Sequence, residues 1–222
     1  MIQSAAVQLN LVLLGPPGAG KGTQAKPFAA EHGLLYLSTG DLLRTAARSG
    51  TPLGLTAKRH MEAGELVPDE LVLGLVVAAL KRAGEAHGVL FDGFPRTTEQ
   101  AKAVDAVFEQ LDRAPLEAIL IDVPDEVLIE RLTGRRICAQ EGHEYHVRHR
   151  PPRQADVCDI DGSRLVRRGD DEPATIRRRL AVYHEATEPL IGYYADRRLH
   201  PVDGDAEPTV IRERIAGSIA RR

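Results

Sequence analysis

An α/β fold, a parallel sheet flanked by helices, is predicted for this 222-residue chain by three observations. Apolar strand-like runs recur at 9–14, 34–37, 89–92, 118–123 and near 201–202, and helical periodicity fills the stretches between them. Such alternation gives a parallel sheet with helices on its faces. The first run feeds directly into a glycine-rich loop ending in lysine, an order of elements that cradles a phosphate.

Composition narrows the class of molecule. With 43% hydrophobic and 27% charged residues and a formal net charge of -3, the chain can bury a core and offers no generic nucleic-acid surface. No apolar run reaches the roughly 20 residues needed to span a bilayer. The N-terminal nine residues lack basic groups and a cleavage pattern, which points to a cytoplasmic protein. Cys138 and Cys158 are then reduced thiols with a use other than pairing.

Taken in order, the 9–14 strand ends in Gly15-Pro-Pro-Gly-Ala-Gly-Lys-Gly-Thr23. Gly15, Gly18 and Gly20 free the backbone N–H groups to converge on one anion, and Lys21 sets a point charge on the β- and γ-phosphates. A helix over 21–32 adds its positive end. In the general P-loop motif a Ser or Thr follows the lysine and ligates Mg²⁺. Gly22 stands there instead, so Mg²⁺ would be held by water and phosphate, with Thr23 touching phosphate.

Gly33 closes that helix and the 34–37 strand opens into Ser38-Thr-Gly-Asp-Leu-Leu-Arg44, where Thr39-Gly-Asp41 offers capping chemistry. Helices over 41–48 and 53–63, the second closed by Gly64, follow without a strand between them, so 38–67 is a small inserted helical lobe. A helix over 69–82 leads to the 89–92 strand, which ends in Asp92 and then Gly-Phe-Pro-Arg96. Asp92 sits where a P-loop enzyme holds Mg²⁺ through water, and Arg96 can reach a phosphate with its bidentate fork. A helix over 98–109, the 118–123 strand and a helix over 125–132 capped at Pro124-Asp125 come next.

From 134 to 171 the chain turns to Arg, His, Pro, Asp and Gly with little periodicity, a long functional loop. Arg131, Arg135 and Arg136 enter it, Arg167 and Arg168 leave it, and Arg177, Arg178 and Arg179 follow on a helix over 172–185. Fixed cations that arrive on closure suit phosphoryl transfer. Helical spacing keeps Arg178 from facing the same cleft as Arg179. Helices over 188–198 and 208–220 complete the chain. Inside the loop, Cys138-Ala-Gln-Glu141-Gly-His143 and Cys158-Asp-Ile-Asp161 have spacing similar to a zinc ribbon. Cys138, Cys158 and Asp161 are the candidate zinc ligands, with His143 or Glu141 as the other; the alternative is a metal-free lobe in which these groups hydrogen-bond to one another.

These motifs together resemble the bacterial adenylate kinase family along nearly the whole chain. The resemblance rests on the Gly15–Thr23 loop with its Gly-Lys-Gly-Thr ending, Ser38 to Arg44, Asp92-Gly-Phe-Pro-Arg96 with Gln100, Gly134-Arg-Arg136, Tyr145-His146, Pro151-Pro152, and Asp170-Asp171 with Arg177 to Leu180. It implies that Gly18, Ala19, Gly20, Lys21, Gly22 and Thr23 hold the ATP phosphates, that Arg135, Glu144 and Tyr145 help cover the ATP base and ribose, that the backbone near Ala206 flanks the adenine, and that Arg131 also touches ATP. For AMP it implies Thr39, Arg44, the backbone of Glu65, Leu66 and Val67, then Gly93, Phe94, Pro95, Arg96 and Gln100. Arg131, Arg168 and Arg179 would close on the transferring phosphoryl group, the last two also touching AMP.

By the same resemblance, 38–67 is an AMP-binding lobe, 134–171 a lid, and 1–37, 68–133 and 172–222 the core of one P-loop NTPase-type domain. The implied reaction is ATP + AMP = 2 ADP with Mg²⁺, run by a monomer with nucleotides as partners and neither nucleic acid nor membrane, and with zinc as a structural option in the lid. Lys21, Asp92, Arg96, Arg131, Arg168 and Arg179 carry the catalysis. Rival readings are a GTP:AMP phosphotransferase or UMP/CMP kinase, against which Thr39 and the long lid favour adenine as acceptor. A nucleotide switch would need an Asn-Lys-x-Asp base reader, which is missing, and a zinc-stabilised nucleic-acid module would need more aromatic surface than Tyr145. The segment before Asn10 has no functional reading.

Overall fold

The computed structural model describes residues 8–83, 88–196 and 199–220. Most of the segment before Asn10 and the end of the helix expected over 188–198 lie outside the described residues. The main sheet has five parallel strands in the order β2-β3-β1-β4-β8: β1 Leu11–Leu14, β2 Leu35–Ser38, β3 Val89–Asp92, β4 Glu117–Asp122 and β8 Leu199–Asp203. Successive side chains of a strand point to opposite faces, and β1 shows the result. Val12 and Leu14 join one apolar core with Phe91, Phe94, Val104 and Phe108, while Leu11 and Leu13 join the other with Leu90, Ile119 and Ile121.

Helices divide between the two faces accordingly. The first core takes α2 (Thr39–Arg48), α3 (Pro52–Ala63), α4 (Asp69–Ala83), α5 (Thr98–Gln110) and α8 (Leu190–Ala195). The second takes α1 (Lys21–Glu31), α6 (Asp125–Gly134), α7 (Pro173–Val182) and α9 (Pro208–Ile219). The order β2-β3-β1-β4 brings the carboxyl ends of β1, β2 and β3 side by side, the edge at which ligands sit in open parallel sheets.

Local chemistry sets the helix starts, with two departures from expectation. α2 is capped by Ser38, whose Oγ accepts from Asp41 N–H at 3.2 Å, so the cap lies one residue before Thr39. The start of α6 carries no side-chain cap: Pro124 occupies the N-cap and Asp125 lies inside the first turn. Elsewhere Thr51 and Thr97 cap α3 and α5, and Gly64 ends α3 at φ 74°.

The 134–171 segment corrects the expectation of a long loop. It forms a three-stranded antiparallel sheet, β6-β5-β7, from β5 (Arg135–Cys138), β6 (Glu144–His146) and β7 (Leu165–Val166), closed by a 3₁₀ turn at Gly169–Asp171. Cys138, Tyr145, Cys158 and Leu165 form its own small core. The helix expected over 172–185 ends at Val182 and passes through a π turn, Tyr183–Thr187, before α8. Among the described residues no helix is long and apolar enough to cross a membrane.

Candidate active site

The loop between β1 and α1 is held open as a cradle. Gly15, Gly18 and Gly20 have φ of 140°, 90° and 87°, backbone that side-chain-bearing residues rarely adopt. Gly20 is the N-cap of α1 and no side chain caps that end, which leaves its first N–H groups facing the loop. Lys21 bends back over the loop, donating to the carbonyls of Gly15 at 2.7 Å and Pro16 at 2.9 Å. Burial, opposed by the Asp92 carboxylate and reinforced by Arg96, Arg179 and Arg135, pushes its pKa down to about 8.

Across the cradle, β3 delivers Asp92, whose Oδ2 accepts from the Tyr36 hydroxyl at 2.9 Å. Next to it Arg96 donates through Nε to Gly93 O at 2.8 Å, and its backbone N–H is accepted by Gln100 Oε1 at 2.7 Å. Arg96 is exposed to the cleft, where neighbouring protein still displaces part of its hydration. Burial and the charge of Arg179 push its pKa down to about 10. Thr39 Oγ1 donates to Gly93 O at 2.8 Å, and Arg44 pairs with Asp41 at 2.6 Å.

The remaining arginines come from the inserted sheet and α7. Arg135 binds Asp171 with both arms, Arg168 pairs with Glu144 at 2.8 Å, and Arg179 pairs with Asp170 at 2.9 Å. Asp170 is where they meet. Burial raises its pKa, but the charges of Arg179, Arg135, Arg168 and Arg44 outweigh burial and hold the carboxyl below its usual range. The guanidinium groups repel one another in turn, Arg44 and Arg135 lowering the pKa of both Arg168 and Arg179 after burial has done so. Arg168 Nε is buried without a partner. A cleft lined by this many guanidinium groups, held on carboxylates that an incoming phosphate can replace, suits a polyanion.

Some expected residues lie elsewhere. Arg131 was grouped with the phosphoryl-closing arginines, but its guanidinium donates to Gly204 O at 3.1 Å and lies 3.6 Å from Asp205, on the loop that carries Ala206. α6 aims it along the end of β8, away from Asp170. Tyr145 is buried, its hydroxyl accepting from Asp159 N–H at 2.8 Å inside the small core and its backbone paired opposite Arg136 in the inserted sheet. Gln100 is buried too, donating to Asp69 at 2.6 Å while it holds Arg96 N–H. Phe94, Pro95 and Val67 are buried, Leu66 is partly so and Glu65 faces Arg178 at 3.8 Å.

In the inserted sheet, one ligand atom each from Cys138, His143, Cys158 and Asp161 lies within 4.8 Å of the others. Cys138 Sγ is 3.0 Å from Asp161 Oδ2, and Cys158 Sγ is 3.3 Å from His143 Nδ1. Glu141 enters through its backbone, donating N–H to Cys138 Sγ at 3.2 Å. Two turns of one shape build the cluster: Gly142 N–H bonds Cys138 O and Gly162 N–H bonds Cys158 O. Hydrogen bonds from Ser163 and Cys138 hold the Asp161 carboxyl well below the usual range. Two sulfurs, an imidazole nitrogen and a carboxylate at these separations fit a tetrahedral zinc site.

The sequence model of the family described as adenylate kinase matches residues 13–199. The chain belongs to the adenylate kinase family. It is 45% identical over 215 residues to the adenylate kinase of Oceanobacillus iheyensis, covering 96% of this chain and 100% of that protein. Against the adenylate kinase of Clostridium tetani it is 44% identical, covering 94% and 97%, and against that of Methanosarcina acetivorans 42%, covering 96% and 99%. The family makes the chain a nucleoside monophosphate kinase, a phosphotransferase that works on adenine nucleotides with Mg²⁺. The sequence reading gave no role to Tyr36 or Asp69, whose partners are distant in sequence, and quoted Asp170-Asp171 as part of the family motif without assigning its carboxylates a role. Only Asp170-Asp171 left a signal, as an acidic pair between arginines.

Proposed function

We propose that reversible transfer, ATP + AMP = 2 ADP, takes place in the cleft at the carboxyl edge of the main sheet, with the 38–67 lobe receiving AMP and the 134–171 segment closing over ATP. The gathering of Arg135 and Arg179 on Asp171, with Arg179 also on Asp170, together with Lys21 folded over the glycine loop, carries this reading. The Gly18–Thr23 amides and Lys21 would bind the ATP phosphates, and Arg96, Arg168 and Arg179 the phosphoryl group in flight. Phosphoryl transfer needs positioning and charge more than covalent help, and the acceptor phosphate is already anionic. Arg131, reaching from α6 to the Ala206 loop, serves the ATP base. Thr39, Arg44, the 65–67 backbone and the Gly93–Arg96 turn serve AMP, with Gln100 acting through Arg96.

Mg²⁺ bound with ATP supplies charge neutralisation at the phosphates; Asp92 would hold its water. Zinc would be held by Cys138, His143, Cys158 and Asp161 and keep the inserted sheet folded.

A coupled assay for ADP with AMP, CMP, UMP or GMP as acceptor, and ATP or GTP as donor, tests the proposal. ADP formation from ATP and AMP at least tenfold faster than from any other pair is the expected outcome. Slow hydrolysis of ATP with no transfer to AMP overturns it.

A further inference from the structure

Two residues flank Asp92 Oδ2, Tyr36 from β2 and Gly22 from α1. In the parallel register of β2 and β3, Ser38 lies opposite Asp92 and Tyr36 opposite Leu90. The Tyr36 ring packs against the second core and carries Lys26 Nζ 5.9 Å from its centroid, so its hydroxyl reaches Asp92 Oδ2 from a fixed platform. On the other side α1 offers no side chain. A Cβ added at Gly22 would lie 3.2 Å from Asp92 Oδ2 and 4.0 Å from the Tyr36 hydroxyl. Oδ2 thus fills the space that a residue other than glycine would take, while no protein donor among the described residues reaches Oδ1.

We propose that Tyr36 is a positioning residue for Asp92: its hydroxyl, in the gap left by Gly22, pins Oδ2 so that Oδ1 is presented to the metal-bound water beside the transferred phosphoryl group. The inference rests on the role given to Asp92 above. Without the pin, the carboxylate can turn onto Lys21 or Arg96, the cations nearest it, and its charge is lost both to the metal and to the phosphates. Burial and the adjacent carboxylate raise the Tyr36 pKa, so the phenol keeps its proton and remains a donor. Where the general loop motif places a hydroxyl on the metal after its lysine, this chain places a hydroxyl on the carboxylate that faces the metal.

Tyr36→Phe removes the pin and keeps the ring. Losing a hydrogen bond to a charged group predicts about a tenfold fall in kcat and about a tenfold rise in the Mg²⁺ needed for half-maximal rate, with the KM for AMP within about twofold. Electron paramagnetic resonance of Mn²⁺ with a non-hydrolysable ATP analogue on the full chain gives a readout apart from turnover, and should show Mn²⁺ bound about tenfold more weakly. In the Asp92→Asn background Tyr36→Phe should add nothing, because one residue acts through the other.

Normal metal dependence in Tyr36→Phe beside a defect in Asp92→Asn overturns the inference alone, as do losses that multiply in the double variant. Unchanged metal dependence in Asp92→Asn overturns the role of Asp92 and the inference with it. Should Tyr36→Phe fail to fold, Gly22→Ala crowds Oδ2 from the α1 side and must give the same metal signature; normal metal dependence there also overturns the proposal.

Discussion

Arg135 and Asp171 form a two-armed pair, with Nε 2.8 Å from Oδ2 and the terminal nitrogen 2.6 Å from Oδ1, and the carboxylate has no solvent exposure. Asp171 also accepts from Arg179 at 3.3 Å. One buried anion therefore ties the first residue of the inserted sheet to the turn that ends it, and both to α7. Asp171→Asn leaves two guanidinium groups facing a neutral amide, and breaking one side of a buried pair costs about 3–5 kcal/mol. Urea denaturation should show a loss of that order; a midpoint equal to that of the parent would mean the pair is not holding these elements together.

Lys21 stands alone among the cations in belonging to the loop itself. Lys21→Met should lower kcat by about 10²–10³-fold, the effect of removing one preorganised charge from a transition state, with circular dichroism unchanged. Near-normal turnover in a folded variant would remove Lys21 from the chemistry.

Arg131 and Arg179 should separate kinetically. Set by α6 against the Ala206 loop, Arg131 contributes binding that is equal in ground and transition states, so Arg131→Ala should raise the KM for ATP with kcat largely kept. Arg179→Ala should lower kcat by about 10²-fold. Steady-state kinetics with ATP varied reads both, and a kcat collapse in Arg131→Ala would return that residue to the phosphoryl group.

The cysteine cluster predicts which side chain is the fourth ligand. His143→Ala should lose zinc, counted by mass spectrometry of the metal, and lower the melting midpoint, while Glu141→Ala keeps both. Zinc retained in His143→Ala and lost in Glu141→Ala would reverse the assignment. Chelation should mimic His143→Ala when Mg²⁺ is replenished.

His184 lies between Asp125, 3.2 Å from Nε2, and Glu188, 2.9 Å from Nδ1. Hydrogen bonds donated to these carboxylates, to Glu188 first, raise its pKa. A raised histidine pKa gives stability that is full below the unfolded value of about 6.5 and is lost as pH rises through the folded value. The pair is exposed, so the effect is small: cooling of the melting midpoint by about 1–3 °C between about pH 6 and pH 8, absent in His184→Gln. Equal slopes in the two proteins would show that the cluster contributes nothing.

β1, β3 and β4 were legible in the sequence because each is a largely buried apolar run, while β8 buries only Val202 and left a signal only near 201–202; the loop after β1 was legible because its glycines sit at a motif's spacing. The inserted sheet was not. Its strands span two to four residues, hold Arg, Cys, Glu, Tyr and His, and bury only Cys138, Tyr145, Cys158 and Leu165, too few for a period to emerge. Site residues divided similarly. Lys21, Asp92 and Arg96 follow strand ends and could be placed by position; Arg131 and Arg135 lie four residues apart in sequence, yet a helix end and a strand start send them to different places. Tyr36 read as one more strand residue, since its partner lies 56 residues away.

The paired turns around Cys138 and Cys158 give the inserted sheet an economy of its own. In the first turn the histidine at the sixth position faces the cluster; in the second the aspartate at the fourth position does, with the Ser163 hydroxyl at the sixth 2.9 Å from Cys138 Sγ. A donor can thus move between two places in either turn while the backbone stays as it is. Ligand identity in this lobe is free to drift one substitution at a time, from thiol to imidazole to carboxylate, without the sheet passing through an unfolded ancestor.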